Sequence, residues 1–168
     1  MTKRHGGFTL VEILVVVAII GIVLAIASVN LLPDDHRTLE NEAERVALLF
    51  ELARDTAISS GEDLAWQADG QHYAFYRRDE NGQWVVETSD EMLRSRDWPS
   101  GLVLESMTIN HVVATSESRL VFVPSGVVIP FELVLRLGQE RAGVRGSALG
   151  RVEVVKDAEI GVTPKAAG

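Results

Sequence analysis

Between Ile13 and Leu32 the chain places 17 apolar side chains in 20 positions, broken only by Gly21, Ser28 and Asn30. No charged residue occurs from Ile13 through Pro33. Twenty helical residues extend about 30 Å, the thickness of a bilayer's hydrocarbon core. Such a run has no polar face, so it does not suit the half-exposed helix of an ordinary globular domain. Lys3, Arg4 and His5 precede it, and no Lys or Arg follows until Arg37. That asymmetry predicts a single-pass anchor with its N-terminus in the cytoplasm and the remainder outside.

Residues 34–168 read as a different kind of chain. Of these 135 positions 57 are apolar, with 14 basic against 23 acidic side chains. That apolar share is ordinary for a soluble domain. An acidic surface excludes nucleic acid as the expected partner, because phosphate binding needs a concentrated basic face. The absence of cysteine from all 168 residues excludes a disulfide framework, a thiolate nucleophile and Cys-ligated metal. The length fits one ordinary domain, or a small domain plus an appendage.

The apolar segment admits three readings. A secretory signal peptide fits the basic start, and Ala25-Ile26-Ala27 before Ser28 fits a small-x-small cleavage site. A plain membrane anchor fits equally. The third reading turns on Glu12, a carboxylate at the head of the apolar run. In lipid it costs a few kcal/mol unless something neutralises it, and neither of the first two readings has a use for it. Taken alone, Glu12 also suits the membrane interface.

The surrounding residues decide among these. Gly6-Gly7-Phe8-Thr9-Leu10-Val11-Glu12 leads directly into the run, and this resembles the leader of type IV pilins and type II secretion pseudopilins. The resemblance implies cleavage by prepilin peptidase between Gly7 and Phe8, N-methylation of Phe8, and retention of the apolar helix. Cleavage leaves an ammonium at a buried helix start, which is costly unless paired. Glu12 of a neighbouring subunit can supply the counter-charge, and such pairing would fix the register, as buried polar residues do in coiled coils. Phe8 and Glu12 are also i,i+4 neighbours within one helix.

Beyond Pro33, which is expected to kink or interrupt the helix, Asp34 and Asp35 are available as caps. Leu39, Ala43, Val46, Phe50, Ala53 and Ala57 then recur at alternating spacings of four and three. Glu40, Glu44, Glu51, Arg54 and Asp55 lie off that stripe, predicting an amphipathic helix packed on a sheet and stopped at Gly61. After Gly61 the period becomes two. Strands are predicted over Leu64 to Ala68, His72 to Arg77, Trp84 to Thr88, Leu102 to Met107, Ile109 to Val113, Arg119 to Val123, Phe131 to Leu137 and Arg151 to Val155. Asp69-Gly70 and Asn81-Gly82 supply turn signals. Gly138 to Gly150 reads as a mobile loop and Lys156 to Gly168 as a frayed tail. The expected fold class is α+β: a long pilin-like hydrophobic helix continuing into an amphipathic helix packed on antiparallel sheet. The expected organisation is a leader over 1–7, the membrane or filament-core helix over 8–32, the amphipathic helix over 33–61, a β-rich periplasmic domain over 62–155 and the tail over 156–168.

Signs of catalysis are missing. His5, His36, His72 and His111 lack metal-ligand spacing, and Ser125 sits in Pro-Ser-Gly rather than a nucleophile elbow. His72 and His111 are expected half-exposed on strands, and Trp66, Trp84 and Trp98 as core or edge aromatics. Arg141, Arg145 and Arg151 form a weak basic cluster, read as a solvated loop or a docking site for an acidic neighbour. No catalytic residue, metal site or cofactor is expected.

The segment Phe122-Val123-Pro124-Ser125-Gly126 through Pro130-Phe131 resembles the H-type minor pseudopilin of type II secretion. Ala53-Arg54-Asp55, with Ala57 and Gly61, resembles that family's helix end. The resemblance implies a non-enzymatic subunit of the inner membrane, with its C-terminal domain in the periplasm. Its partners would be prepilin peptidase, the inner-membrane assembly platform, other minor pseudopilins and the major pseudopilin. Assembly near the tip of a short pseudopilus would aid export of folded exoproteins. Minor type IV pilins, which prime pili or take up DNA, share the leader. Many of them carry a C-terminal cysteine pair or, for DNA uptake, a basic face, and this chain has neither. The major pseudopilin usually brings a calcium loop, whereas this tail offers only Asp157 and Glu159.

Overall fold

The computed structural model describes residues 10–29 and 35–161, with the side chains of the first segment described as far as Leu24. The chain divides into two units at Asp34/Asp35. The first holds helix α1 (Leu10–Val29). The second holds helix α2 (Asp35–Ser60), ten strands and a terminal 3-10 turn, η1 (Asp157–Glu159). Pro33 and Asp34 lie outside the described residues.

The stripe of α2 forms its buried face: Leu39, Ala43, Val46, Phe50, Ala53 and Ala57 are all at most 1% exposed. The helix ends where the Gly61 N–H donates to the Ala57 carbonyl at 3.0 Å, with Gly61 at φ 74°. Glycine adopts that left-handed conformation without the Cβ penalty.

Two antiparallel sheets receive this face. The first runs β3-β2-β1-β7, with β4 also on β2: β1 (Leu64–Ala68), β2 (His72–Arg78), β3 (Trp84–Val86), β4 (Arg96–Asp97) and β7 (Leu120–Phe122). The second runs β10-β9-β8-β5-β6: β5 (Leu102–Ile109), β6 (Val112–Val113), β8 (Phe131–Leu137), β9 (Glu140–Gly146) and β10 (Val152–Lys156). Both turn signals sit at tight connections. Asp69 Oδ1 accepts from the backbone N–H groups of Gln71 and His72, each at 3.1 Å. Asp79 Oδ1 accepts from Asn81 N–H at 2.9 Å and Gln83 N–H at 2.7 Å, around Gly82 at φ 76°.

Phe50 joins the two sheets. Its ring lies 5.1 Å from Trp66 and 5.6 Å from Phe122 in the first sheet, and 5.3 Å from Phe131 in the second. The Trp66 and Phe131 contacts are edge-to-face, the arrangement the aromatic quadrupole favours.

Several sequence expectations are corrected. The segment Gly138 to Gly150 is not a loop, because strand β9 fills most of it and pairs with both β8 and β10. Its glycines serve close approach. A Cβ on Gly143 would stand 2.4 Å from Val155 Cγ2, and one on Gly146 would stand 2.0 Å from the Phe131 ring. The tail does not begin at Lys156, which ends β10. It is followed by η1 and by Gly161, whose N–H donates to Glu132 Oε1 at 3.1 Å. The expected strand Ile109 to Val113 is a two-residue hairpin. Asn110 and His111 have φ of 51° and 64°, and Ile109 pairs with Val112. Both central residues at positive φ mark the turn whose twist matches the flanking strands. His111 is therefore an exposed turn residue, and the exposed His72 opens β2 beside Asp69. The strand from Trp84 stops at Val86, since Glu87 turns inward to cap the next loop. Among the described residues there are ten strands where eight were expected; β4 and β6 have two residues each and are too short for a periodic signal.

Phe50→Ala is expected to destabilise the domain by about 3–5 kcal/mol, measured by denaturant unfolding of residues 35–168. Gly146→Ala should cost about 1–3 kcal/mol through overpacking against Phe131; unchanged stability would contradict the close approach.

Candidate functional site

Helix α1 is apolar on every side, and its large apolar side chains are 44–79% exposed, from Val16 to Leu10. Among the described residues of the first unit this surface is left largely open, the kind of surface that lipid or other helices cover. Among the described residues no helix is long and apolar enough to cross a membrane. Glu12 lies in the first turn of α1, exposed, where a carboxylate complements the positive end of the helix dipole. Gly7 and Phe8 lie outside the described residues.

The second unit holds two buried carboxylates that no sequence motif marks. Glu42, on α2, is 5% exposed and pairs with Arg45. Arg45 also donates to the Tyr73 hydroxyl at 3.1 Å. Burial raises the Glu42 pKa, and Arg45 opposes the shift without cancelling it. Burial raises the Tyr73 phenol as well. Glu87 is 4% exposed. Burial works against its charge, but donors win: the Ser89 hydroxyl, the Ser89 N–H at 2.6 Å, the Asp90 N–H at 3.3 Å, and Arg77 at 3.4 Å. Its pKa lies below the ordinary carboxylate value. A Glu placed two residues before a Ser in a turn was the available sequence signal, and it is a weak one.

Two of the three arginines of the basic cluster are held in ion pairs, while Arg151 is exposed at the start of the β10 segment. Arg141 holds Glu105 by a two-pronged ion pair, one contact at 2.7 Å, at a β-bulge in β5. Arg145 pairs with Glu132 at 2.9 Å and donates to the Glu159 carbonyl at 2.8 Å. These arginines brace sheet and tail instead of forming a free basic face. Trp66 and Trp98 are buried, while Trp84 lies under Arg78 at 5.8 Å. Among the described residues no three His, Cys, Asp or Glu side chains are placed to hold a metal ion.

An apolar helix behind a Gly-Phe leader, followed by this two-sheet domain, is matched by known proteins. The family profile described as "Type II transport protein GspH" matches residues 42–150, and the prokaryotic N-terminal methylation motif matches residues 2–28. The chain belongs to the GspH family. It is 28% identical over 171 residues to the type II secretion system protein H of Pseudomonas aeruginosa, covering 92% of this chain and 99% of that protein. The minor pseudopilin EpsH from the type 2 secretion system of Vibrio cholerae has the same fold, with a TM-score of 0.62 at 19% identity. The match covers 71% of this chain and 96% of that one. The P. aeruginosa type IV minor pilin FimU also shares it, with a TM-score of 0.51 at 16% identity, over 71% of this chain and 90% of that one. The fold alone is thus common to secretion and pilus subunits. The family profile and the curated relative make this chain an H-type minor pseudopilin, in a family of structural subunits and not of enzymes.

The folded Glu87 pKa lies below the ordinary 4.5, so its stabilisation is present above that value and is lost as pH falls through the folded pKa. Glu42 has the opposite sign, its contribution shrinking as pH rises through its raised pKa. In denaturation series from pH 3 to 6, Glu87→Gln should flatten the loss of stability on acidification and Glu42→Gln should steepen it. Parallel curves for both variants and the wild type would count against these assignments.

Proposed function

We propose that the chain is made as a single-pass inner-membrane protein, spanning the bilayer with the run Ile13 to Leu32. Prepilin peptidase removes residues 1–7, and Phe8 becomes the methylated N-terminus of the mature subunit. The observation that carries this reading is the coupling of an all-apolar, exposed α1 and first-turn Glu12 to a GspH domain. In the membrane the helix rests in lipid. In the pseudopilus it packs among the helices of neighbouring subunits, while residues 62–155 face the periplasm.

Glu12 is the assembly residue. Its carboxylate neutralises the α-ammonium of a neighbouring subunit's Phe8, which removes two buried-charge penalties together. An apolar shaft slides with little energetic preference along its axis, whereas an ion pair fixes one offset. By its resemblance to H-type subunits, the protein sits near the pseudopilus tip, between the other minor pseudopilins and the major pseudopilin. There it aids export of folded exoproteins across the outer membrane, with extension driven from the inner-membrane assembly platform.

Intact mass and N-terminal sequencing of the mature protein should give N-methyl-Phe8; a start at Ser28 would refute retention of the helix. Glu12→Leu should leave that mass chemistry intact yet reduce recovery of the subunit in sheared or cross-linked pseudopili by tenfold or more, the effect of losing about 1.4 kcal/mol or more per contact. Normal incorporation of Glu12→Leu would remove the proposed role of the carboxylate.

A further inference from the structure

Strand β10 ends the order of the second sheet, and its outer edge opens beside α2. The Ser147 N–H donates to the Arg151 carbonyl at 2.9 Å, and Val152 pairs with Gly146. Hydrogen-bonded pairs alternate along an antiparallel ladder, so Glu153 and Val155 bond to β9. The N–H and C=O groups of Val152, Val154 and Lys156 point away from it. Among the described residues no backbone partner meets the groups of Val152 and Val154 or the Lys156 N–H, while the Lys156 carbonyl caps the start of η1.

The open edge borders a groove. Ala47 and Leu48 of α2 form one wall and Val152 and Val154 the other, around a cavity of about 300 Å³. Leu48 is 65% exposed on a helix whose opposite face is buried in the core. Glu44, Glu51 and Glu153 line the same cavity. A second cavity of about 460 Å³ shares Glu44 and Val154 and continues the groove toward the start of α2.

The geometry points to this groove as a strand-addition site for an extended segment of another protein, with apolar residues alternating with Lys or Arg. Main-chain groups would pair with β10, every second side chain would fill the groove against Leu48 and Val154, and the alternating cations would lie on the side of Glu153, with Glu44 and Glu51 adding to the negative field around the groove. An unpaired edge of this kind is a template for such pairing. Charge complementarity selects the occupant. A second copy of this chain would bring a domain with 23 acidic against 14 basic residues to an already acidic groove. The inference does not depend on the proposed membrane topology or on the role of Glu12.

The test uses the full mature chain in detergent micelles, with a synthetic eight-residue peptide of alternating Val and Lys as probe. Peptide binding should slow amide hydrogen exchange at Val152, Val154 and Lys156 at least tenfold. Val154→Pro removes an outward N–H without touching the β9 ladder, and should weaken binding at least tenfold. Glu51→Lys with Glu153→Lys should do the same with the edge intact, which carries the test if Val154→Pro perturbs folding. Unchanged exchange at the three edge amides, equal binding of a Val/Glu peptide, or full binding by the charge-reversed protein would each overturn the site. Tighter peptide binding after removal of residues 162–168 would show the chain's own end to be the occupant instead.

Discussion

The packing of Phe50 against both sheets is the contact on which the domain depends. The two sheets share no strand and are joined by the shape of α2 and by its one large aromatic side chain. Trp66, Phe75 and Phe122 approach that ring from the first sheet and Phe131 from the second. Small residues at Ala43, Ala53 and Ala57 let the helix backbone come close enough for the ring to reach both. The motif Phe122 through Phe131 is thereby explained in physical terms. Its two phenylalanines supply one aromatic partner from each sheet, and the turn at Gly126 (φ 72°) carries the chain between them.

The second sheet depends on missing side chains. Gly143 and Gly146 stand where Val155 and Phe131 take the space a Cβ would need. In a sequence, Gly and Arg together suggest an exposed loop. Here the alternation of Ala142 and Val144 with Arg141 and Arg145 is a strand pattern whose arginines find carboxylates on other segments. Arg141 reaches Glu105 and Arg145 reaches Glu132, pairings that only the strand order brings together. Two of the three charges that read as a basic patch in one dimension are paired in three.

The two units solve opposite problems. The domain buries most of its large apolar side chains in one core and carries more acidic than basic residues. Helix α1 keeps its apolar surface exposed, with 60% of Ile22 and 63% of Leu24 accessible, so its stability lies in lipid or in other helices. The domain's acidic excess bears on the open edge of β10, since a hydrogen-bonding edge flanked by glutamates disfavours pairing with a like-charged copy.

The amino-acid sequence by itself determined the elements whose signal is local. The apolar run, the Gly-Phe leader with Glu12, the stripe on α2 and the strands around Asp69-Gly70 and Asn81-Gly82 all follow from periodicity and turn chemistry within a few residues. The α+β class follows from their succession, and the H-type resemblance from two short motifs. Only the tertiary structure decided that Gly138 to Gly150 is mostly strand, that Asn110-His111 is a turn, that Glu42 and Glu87 are buried, and that among the described residues one edge of the second sheet is unpaired. Each of these depends on which distant side chain occupies a neighbouring space, such as Phe131 over Gly146 or Arg77 beside Glu87. That information resides in the packing of segments far apart in the chain, where local periodicity carries no signal.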